Sequence, residues 1–159
     1  MKHLFWAMAL LLCVGCGGSN GSDDSDGCDS IYQVGDYYNR DFNKGIVFDV
    51  TNGGRNGKIL SLDETVCNWS DAEQWCRNHG DGWRLPTCDE LKAIYRNQQN
   101  VNEGLRKYNR EELANSYYWS STEYEYNSDC AWIVYMDDGD TYLSFSKYNS
   151  YYVRAVYEF

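Results

Sequence analysis

The stretch that decides the fold reads GWRLPTCDEL and occupies residues 82–91. Trp83 and Leu85 are apolar side chains that can plug a core, and the proline between them and the next element fixes the backbone there. Thr87 and Glu90 have the spacing of a capping box, in which each side chain accepts a hydrogen bond from the other residue's backbone amide. The stretch therefore predicts a rigid, buried connection that opens directly into a helix.

Secondary-structure patterns extend from this helix in both directions. Upstream, the apolar and β-branched runs at 45–50 and 58–62 flank a turn rich in Asn and Gly, which predicts a hairpin. Between the hairpin and the helix, SDAE at 70–73 has the sequence of another capping box and predicts a helix that ends near His79. Downstream, a further short helix is predicted within 101–113.

The end of the chain has the pattern of β strands, with short runs predicted at 131–136, 141–145 and 151–157. Period-two alternation sorts the first run into two faces. The predicted inward set is Trp132, Val134 and Met136, and the predicted outward set is Ile133, Tyr135 and Asp137. The order of strands, helices and strands predicts an α+β architecture with the helices packed on one side of an antiparallel sheet.

The first thirty residues are predicted to lie outside the folded domain. A short basic start and the apolar run 4–12 indicate a signal peptide over 1–15, because the run is too short for a mature membrane span. The small residues before Cys16 resemble the lipobox of bacterial lipoproteins, which implies acylation of Cys16. Residues 16–30 are predicted to form a flexible tether. Its acidic segment at 22–26 resembles a surface-export signal, which implies an outer-membrane lipoprotein exposed at the cell surface; a merely solvating linker is the alternative.

The remaining residues, 31–159, are predicted to form one domain. The full chain carries 14 Lys and Arg against 24 Asp and Glu, for a net charge of −10. This acidic balance argues against nucleic acid as a partner, and membrane contact is expected through the lipid anchor only. An exported domain permits disulfides, but the spacing leaves their pairing open, with Cys130 as the candidate odd thiol. The cysteines concerned are Cys28, Cys67, Cys76, Cys88 and Cys130.

Residue types that carry chemistry are sparse. The Cys-x-x-Cys at 13–16 belongs to the predicted signal and lipobox, no such pair occurs after it, and only one His lies outside the signal, so no metal site, cofactor or catalytic residue is predicted. The acidic turn at 137–140 suggests calcium, but the spacing of an EF-hand is missing. The carboxylate pairs Asp63/Glu64 and Glu111/Glu112 leave a glycan-processing enzyme as an alternative, although such pairs are usually solvated surface charges.

Several motifs occur in one order along the chain. They read WSDA at 69–72, GWRLPT at 82–87, WSST at 119–122, AW at 131–132 and YVRAV at 152–156. Over about 45–156 this arrangement resembles the bacterial domain family typified by the C-terminal domain of the collagen-like adhesin Lcl. The resemblance implies a C-type-lectin-like fold with two main helices packed against small antiparallel sheets. The motifs describe a scaffold and no particular ligand. Arg84 and Arg154 are expected to pair with acids or carbonyls inside it.

Residues 116–152 are dominated by Tyr, Ser, Asp and Asn, which is the chemistry of a binding surface. Tyr provides a large, stiff contact area at low entropy cost, and the small polar residues provide adaptable hydrogen bonds. The sequence therefore predicts a receptor or adhesin domain that binds a protein or a glycan, with a structural or assembly subunit of a surface apparatus as the alternative. The candidate ligand-binding residues are Tyr124, Tyr126, Asn127, Asp129, Ile133, Tyr135, Asp137, Asp138, Asp140, Tyr142, Ser144, Ser146, Tyr148, Asn149 and Tyr151.

The coding of this tract suggests how it arises. Each candidate residue type is Asn or is reached by substituting the two adenines of an Asn codon, whereas the interleaved Trp119, Trp132, Met136 and Lys147 are not. The tract thus resembles those of proteins diversified by diversity-generating retroelements, which use C-type-lectin-like folds. An ordinary polar β surface rich in Tyr is the alternative.

Overall fold

A computed structural model describes residues 30–144 and 146–159. Residues 1–29 lie outside the described part of the chain. They include the predicted signal peptide, the predicted lipidation site Cys16, Cys28 and all of the predicted tether except Ser30. No helix in the described part of the chain is long and apolar enough to cross a membrane.

The described residues form two small sheets and three helices. The elements are β1 (Tyr37–Arg40), β2 (Asn43–Thr51), β3 (Asn56–Ser61), β4 (Thr65–Cys67), α1 (Trp69–Arg77), α2 (Cys88–Arg96), α3 (Gln98–Lys107), β5 (Tyr117–Glu123), β6 (Ala131–Tyr135), β7 (Thr141–Ser144), β8 (Tyr151–Val153) and β9 (Val156–Glu158). One sheet has the strand order β1-β2-β3-β9 and the other β4-β8-β5-β6-β7. All pairs are antiparallel except β5 with β8. The α+β class is confirmed.

The predicted hairpin is β2 with β3, and it supplies the fully buried side chains at the centre of the first sheet. The last predicted strand, 151–157, is divided between the sheets as β8 and β9. The division falls at Arg154 and Ala155, which are both buried. The Arg154 guanidinium donates to the backbone oxygens of Ser61 and Glu111 and to the Glu64 carboxylate, so the expected pairing inside the scaffold is confirmed.

The two predicted capping boxes have different outcomes. Thr87 and Glu90 form the expected reciprocal box at the start of α2. Ser70 does not cap α1, because Asn68 is the N-cap and its side chain accepts a hydrogen bond from the Asp71 amide at 3.0 Å. The N-cap of α1 therefore lies two residues earlier than predicted. Helix α3 follows α2 directly and covers 98–107 instead of 101–113.

The buried side chains of β5 and β6 point into two clusters, one on each face of the five-stranded sheet. The first cluster includes Trp119, Ala131 and Ile133 together with Ala72 and Cys76 of α1. The second includes Tyr118, Val134 and Met136 together with Leu91 and Ile94 of α2 and Val101 and Leu105 of α3. Helices therefore cover this sheet on both faces, whereas the sequence pattern predicted them on one side. A strand such as β6 has both of its alternating sets buried at its centre.

The stretch 82–91 connects the core to α2 through buried side chains, as predicted. Trp83 and Leu85 are buried, and the Trp83 ring nitrogen donates to the Asn43 side chain at 2.7 Å. Arg84 donates to both carboxylate oxygens of Glu90 at 2.6 Å, in a bidentate pair. Burial opposes ionisation of Glu90, but hydrogen bonds from Arg84, the Thr87 amide and Lys58 outweigh it and lower its pKa to about 2.

The depressed pKa of Glu90 predicts acid sensitivity. A carboxyl with a folded pKa near 2 and a usual value of 4.5 stabilises the fold above about pH 4.5 and loses this contribution as the pH falls towards 2. The displacement corresponds to roughly 3 kcal/mol. We expect Glu90→Gln to be less stable at neutral pH and to show a flatter pH dependence of the free energy of unfolding between pH 4.5 and 2, measured by urea denaturation.

The matched control is Glu103→Gln, which removes an exposed pair with Lys107 on α3. Surface pairs of this kind contribute little, so its acid profile should follow that of the unmodified chain. If Glu90→Gln has the same pH dependence of the free energy of unfolding as the unmodified chain, the lowered pKa of Glu90 is not the cause of the acid sensitivity.

Candidate functional site

Four neighbouring strands of the second sheet each place one tyrosine on the same face. They are Tyr151 of β8, Tyr117 of β5, Tyr135 of β6 and Tyr142 of β7, here called the tyrosine row. Tyr117 lies directly opposite Tyr135 in the antiparallel ladder. Tyr142 lies opposite Ile133, two residues from Tyr135 and therefore on the same face. Tyr152 pairs with Tyr118, which places the preceding Tyr151 beside Tyr117.

The rings of the tyrosine row pack against one another. Tyr117 stacks on Tyr135 with the ring centroids 4.5 Å apart. It also meets Tyr142 and Tyr151 edge to face, at 5.6 and 5.9 Å. Tyr151 packs in turn on the edge of buried Trp119 at 4.8 Å. These are the offset and T-shaped arrangements that aromatic rings prefer, so the row is held in place before any ligand binds.

The hydroxyl groups of the row differ in their bonding. The Tyr142 hydroxyl donates to the Asp138 carboxylate at 2.7 Å, and this bond raises the pKa of Tyr142 to about 12. For Tyr117, Tyr135 and Tyr151, the part of the chain that the structure describes offers the hydroxyl no hydrogen bond. These three side chains are half-buried and Tyr142 is exposed. The row thus presents ring edges and three available hydroxyls.

The turn from Asp137 to Asp140 borders the row at the end of β6. Gly139 has a φ of +74° and packs so closely on Tyr95 that a Cβ there would lie 2.2 Å from the ring, which explains the glycine. The Asp138 carboxylate accepts the Asp140 amide at 2.8 Å as well as the Tyr142 hydroxyl, and these bonds lower its pKa. All three aspartates of the turn are exposed.

The loop residues of the predicted site lie in a second group. Tyr124 is half-buried against Trp132 and exposed Tyr126, while Asn127 and Asp129 are exposed, with the Asn127 side chain accepting the Asp129 amide. The backbone of Lys147 donates to the Asp129 carbonyl at 2.9 Å, which joins this loop to the turn that carries half-buried Ser146 and exposed Tyr148 and Asn149. The predicted residues therefore form two patches.

Lys147 is the centre of the second patch. Its ammonium group lies 3.9 Å from the centre of the Trp69 ring and donates to Glu123 at 2.6 Å. A cleft of about 260 Å³ opens beside it, lined in part by Asp129 and Tyr148. The lysine is thus an anchor of the loop, in line with its place among the residues outside the adenine-derived set.

Two predicted site residues are wrong. Ile133 is buried, with 4% of its surface exposed, because its side of β6 packs with Trp119 and Ala131 in the core. Ser144 is buried because its hydroxyl bonds the Ser146 carbonyl and the Asn149 side chain inside the following turn. In the same strand as Ile133, the predicted inward set is confirmed for Val134 and Met136, whereas Trp132 is half-exposed against Tyr124.

One residue of the site was missed. Tyr117 is the hub of the tyrosine row, but strand β5 was not predicted and the residue was not assigned to either face. The aromatic run that begins at Tyr117 was the sequence signal that could have predicted this strand. The burial of Tyr118 and the pairing of Tyr117 with Tyr135 are visible only in the structure.

The other reactive groups in the described part of the chain are engaged or isolated. Cys67, Cys76, Cys88 and Cys130 are free thiols, and Cys130 is buried instead of lying on the binding surface. Burial raises the pKa of Cys76 to about 12, which makes it a poor nucleophile. No group of three or more His, Cys, Asp or Glu in residues 30–144 and 146–159 is placed to hold a metal ion.

The carboxylate pairs that suggested a glycosidase are used elsewhere. Glu64 accepts hydrogen bonds from Arg154 and from Tyr118, and Asp63 lies 3.2 Å from the His79 ring. Glu112 pairs with Arg106. Three of the four acids in these pairs therefore have a side-chain partner, and Glu111 contributes its backbone carbonyl to Arg154.

Comparison with known proteins agrees with the scaffold. Residues 39–157 match the model of the Lcl C-terminal domain. The chain belongs to this family. This confirms the resemblance, and the C-type-lectin-like fold is the one that membership implies. No curated protein sequence matches the chain.

One solved structure with a related shape is EMS16, whose title describes it as an antagonist of the collagen receptor integrin alpha2beta1 (GPIa/IIa). It aligns with 64% of this Lcl-family chain and 90% of its own, at 13% identity and a TM-score of 0.41. A likeness at this level carries no argument about function.

The finding that Ile133 points into the core, and not to solvent, can be tested directly. We expect Ile133→Ser to cost about 3 kcal/mol, because it opens a cavity and buries a hydroxyl. For a chain of this size the melting temperature should fall by about 10 °C, measured by circular dichroism. The control is Tyr148→Ser, which changes a 90% exposed residue of the same tract and should shift stability by no more than about 0.5 kcal/mol. Equal melting temperatures for the two variants would restore the outward assignment of Ile133.

Proposed function

We propose that the protein is a surface-anchored lipoprotein that acts as a receptor or adhesin and binds a protein or glycan through its C-terminal tract. Membership of an adhesin-type domain family supports a binding role and an exposed location. The observation that carries the proposal is the tyrosine row, in which four aromatic side chains of one sheet face are packed, partly exposed and bordered by acids.

The row has the properties of an energetic centre for binding. Tyrosine is enriched among residues that dominate binding energy, because it combines apolar area with a polar tip. In the row, the mutual packing of the rings has already restricted their rotamers, so less side-chain entropy is lost when a ligand binds. The three available hydroxyls and the aspartates of the 137–140 turn can then provide selectivity.

The geometry favours binding over catalysis. Three of the four acids that suggested a glycosidase are held in pairs with Arg154, His79 or Arg106. Glycoside hydrolysis requires two carboxyl groups that face each other across a cleft. The exposed acids near the row lie instead on one turn.

Diversification of the tract belongs to the same proposal. Most of the positions with adenine-derived residue types are exposed or half-exposed, and the interleaved Trp119 and Met136 are buried. A scaffold of this design tolerates changes on its surface and protects its core. The buried Ile133, Ser144 and Cys130 are the exceptions, and substitutions there would be restricted to residues that the core accepts.

Binding through the row is tested with the full chain on arrays of extracellular proteins and of glycans. For a ligand that is captured, we expect Tyr135→Ala and Tyr142→Ala each to weaken binding by about 30-fold, as hot-spot residues do. The control is Tyr108→Ala, which removes an exposed tyrosine that stacks on Tyr37 outside the tract. Affinities are measured by surface plasmon resonance, with melting temperatures to confirm folding. A ligand that all three variants bind as tightly as the unmodified chain would refute the role of the row.

Anchoring is tested separately. Expressed from its own signal in a Gram-negative host, the chain should incorporate an alkyne-labelled fatty acid, and Cys16→Ser should abolish the label, because the acylated thiol is removed. Cys13→Ser is the matched control and should retain it. Labelling of Cys16→Ser would show that the anchor is attached elsewhere.

A further inference from the structure

The tract that carries the tyrosine row is acidic. Residues 116–152 contain six acidic residues and a single base. That base, Lys147, is already paired with Glu123 and packed on Trp69 in the second patch. Carboxylates therefore border the row, and the nearest lysine of the tract is occupied.

Two of the acids, Asp138 and Asp140, lie at the edge of the row itself, whereas the Asp137 carboxylate accepts a hydrogen bond from the Asn115 side chain at 3.1 Å and lines a cavity with Arg96. The Tyr142 hydroxyl contacts Asp138, and the Tyr135 amide donates to the Asp140 carbonyl at 3.0 Å, so the 137–140 turn is continuous with the last two rings of the row. Asp137, Asp138 and Asp140 are exposed. Across residues 30–144 and 146–159, none of these three is paired with a lysine or arginine.

This combination of groups selects among ligands. Exposed aromatic rings beside carboxylates suit a guanidinium, which is planar, stacks on rings and donates bidentate hydrogen bonds to a carboxylate. An ammonium is a compact, strongly hydrated charge and gains less from the rings. A polyanion would be repelled by the same acids.

The shape of the row indicates the size of the ligand. Strands in a sheet lie about 4.8 Å apart, so the row spans about 14 Å from Tyr151 to Tyr142. A single small cation would cover only the end next to Asp138. An extended polypeptide segment of several residues could lie along all four rings and bond their hydroxyls.

We propose that the partner of the tyrosine row is a basic polypeptide segment whose arginine side chains stack on the row and pair with the aspartates of the 137–140 turn. The inference rests on the proposed function, since it names the ligand class of the same surface.

The test uses the full chain and three synthetic peptides of equal length. One alternates arginine with glycine and serine, the second replaces each arginine by lysine, and the third replaces each by citrulline, which keeps the shape and removes the charge. We expect the arginine peptide to bind at least several-fold more tightly than the lysine peptide, and the citrulline peptide to show no measurable binding. Affinity for the arginine peptide should fall as the salt concentration rises, because the attraction is partly screened.

Variants then locate the binding. Asp140→Lys reverses a charge at a carboxylate that makes no internal hydrogen bond among the described residues, and it should weaken binding of the arginine peptide at least 10-fold. Tyr142→Ala should do the same. The control is Glu103→Lys, which makes the same charge change on exposed α3, away from the turn. Melting temperatures confirm that each variant folds.

Four results would overturn the inference. Equal affinities for the arginine and lysine peptides, with equal losses in Asp140→Lys and Glu103→Lys, would indicate generic electrostatic attraction. No binding of the arginine peptide would also refute it. If an array ligand depends on Tyr135 and Tyr142 but is indifferent to Asp140→Lys, the proposed function stands and the inference fails. If no ligand depends on the row, both fail.

Discussion

The buried guanidinium of Arg154 is the interaction on which the arrangement of the domain depends. It lies where the chain leaves the five-stranded sheet for the four-stranded one, with 1% of its surface exposed. It bonds the Ser61 and Glu111 carbonyls and the Glu64 carboxylate, and Glu64 also accepts the Tyr118 hydroxyl. A buried charge of this kind is tolerated only when its hydrogen bonds are complete, and removal of one partner costs several kcal/mol. The network therefore constrains the two sheets and the loop before β5 to one relative position.

The same network positions the candidate site. Tyr118 is held on the side of β5 that faces α2, so the alternation of the strand turns Tyr117 to the opposite face, where it becomes the hub of the tyrosine row. Strand β8 ends directly before Arg154, so it is only three residues long and begins with Tyr151. A surface that is supported in this way from both sides keeps its backbone when individual side chains change. This is the property that a variable binding surface needs.

Local signals in the sequence predicted the local parts of this structure. The capping box at Thr87, the β2–β3 hairpin and the buried Trp83 depend on neighbouring residues or on one apolar face, and all were predictable. The division of the last strand at Arg154 was not, because it depends on partners that lie far away along the chain. Alternation within β6 correctly separated its two faces but could not show that both are covered. For that reason Ile133 was assigned to solvent.

The burial of Ile133 also shows that one face of β6 carries both core residues and a residue of the tyrosine row. Along the first face of β6, Ala131 and Ile133 pack with Trp119, and only Tyr135 at the end of the strand reaches the surface. The tyrosine row is thus the outer end of a sheet whose inner end belongs to the hydrophobic core. Large aromatic residues suit this boundary, because a tyrosine can bury its ring edge against the core and still present its hydroxyl to a partner. Smaller side chains at Tyr117 or Tyr151 would expose the core cluster on which these rings pack. The tyrosines of the row therefore have a structural cause that is independent of the proposed binding.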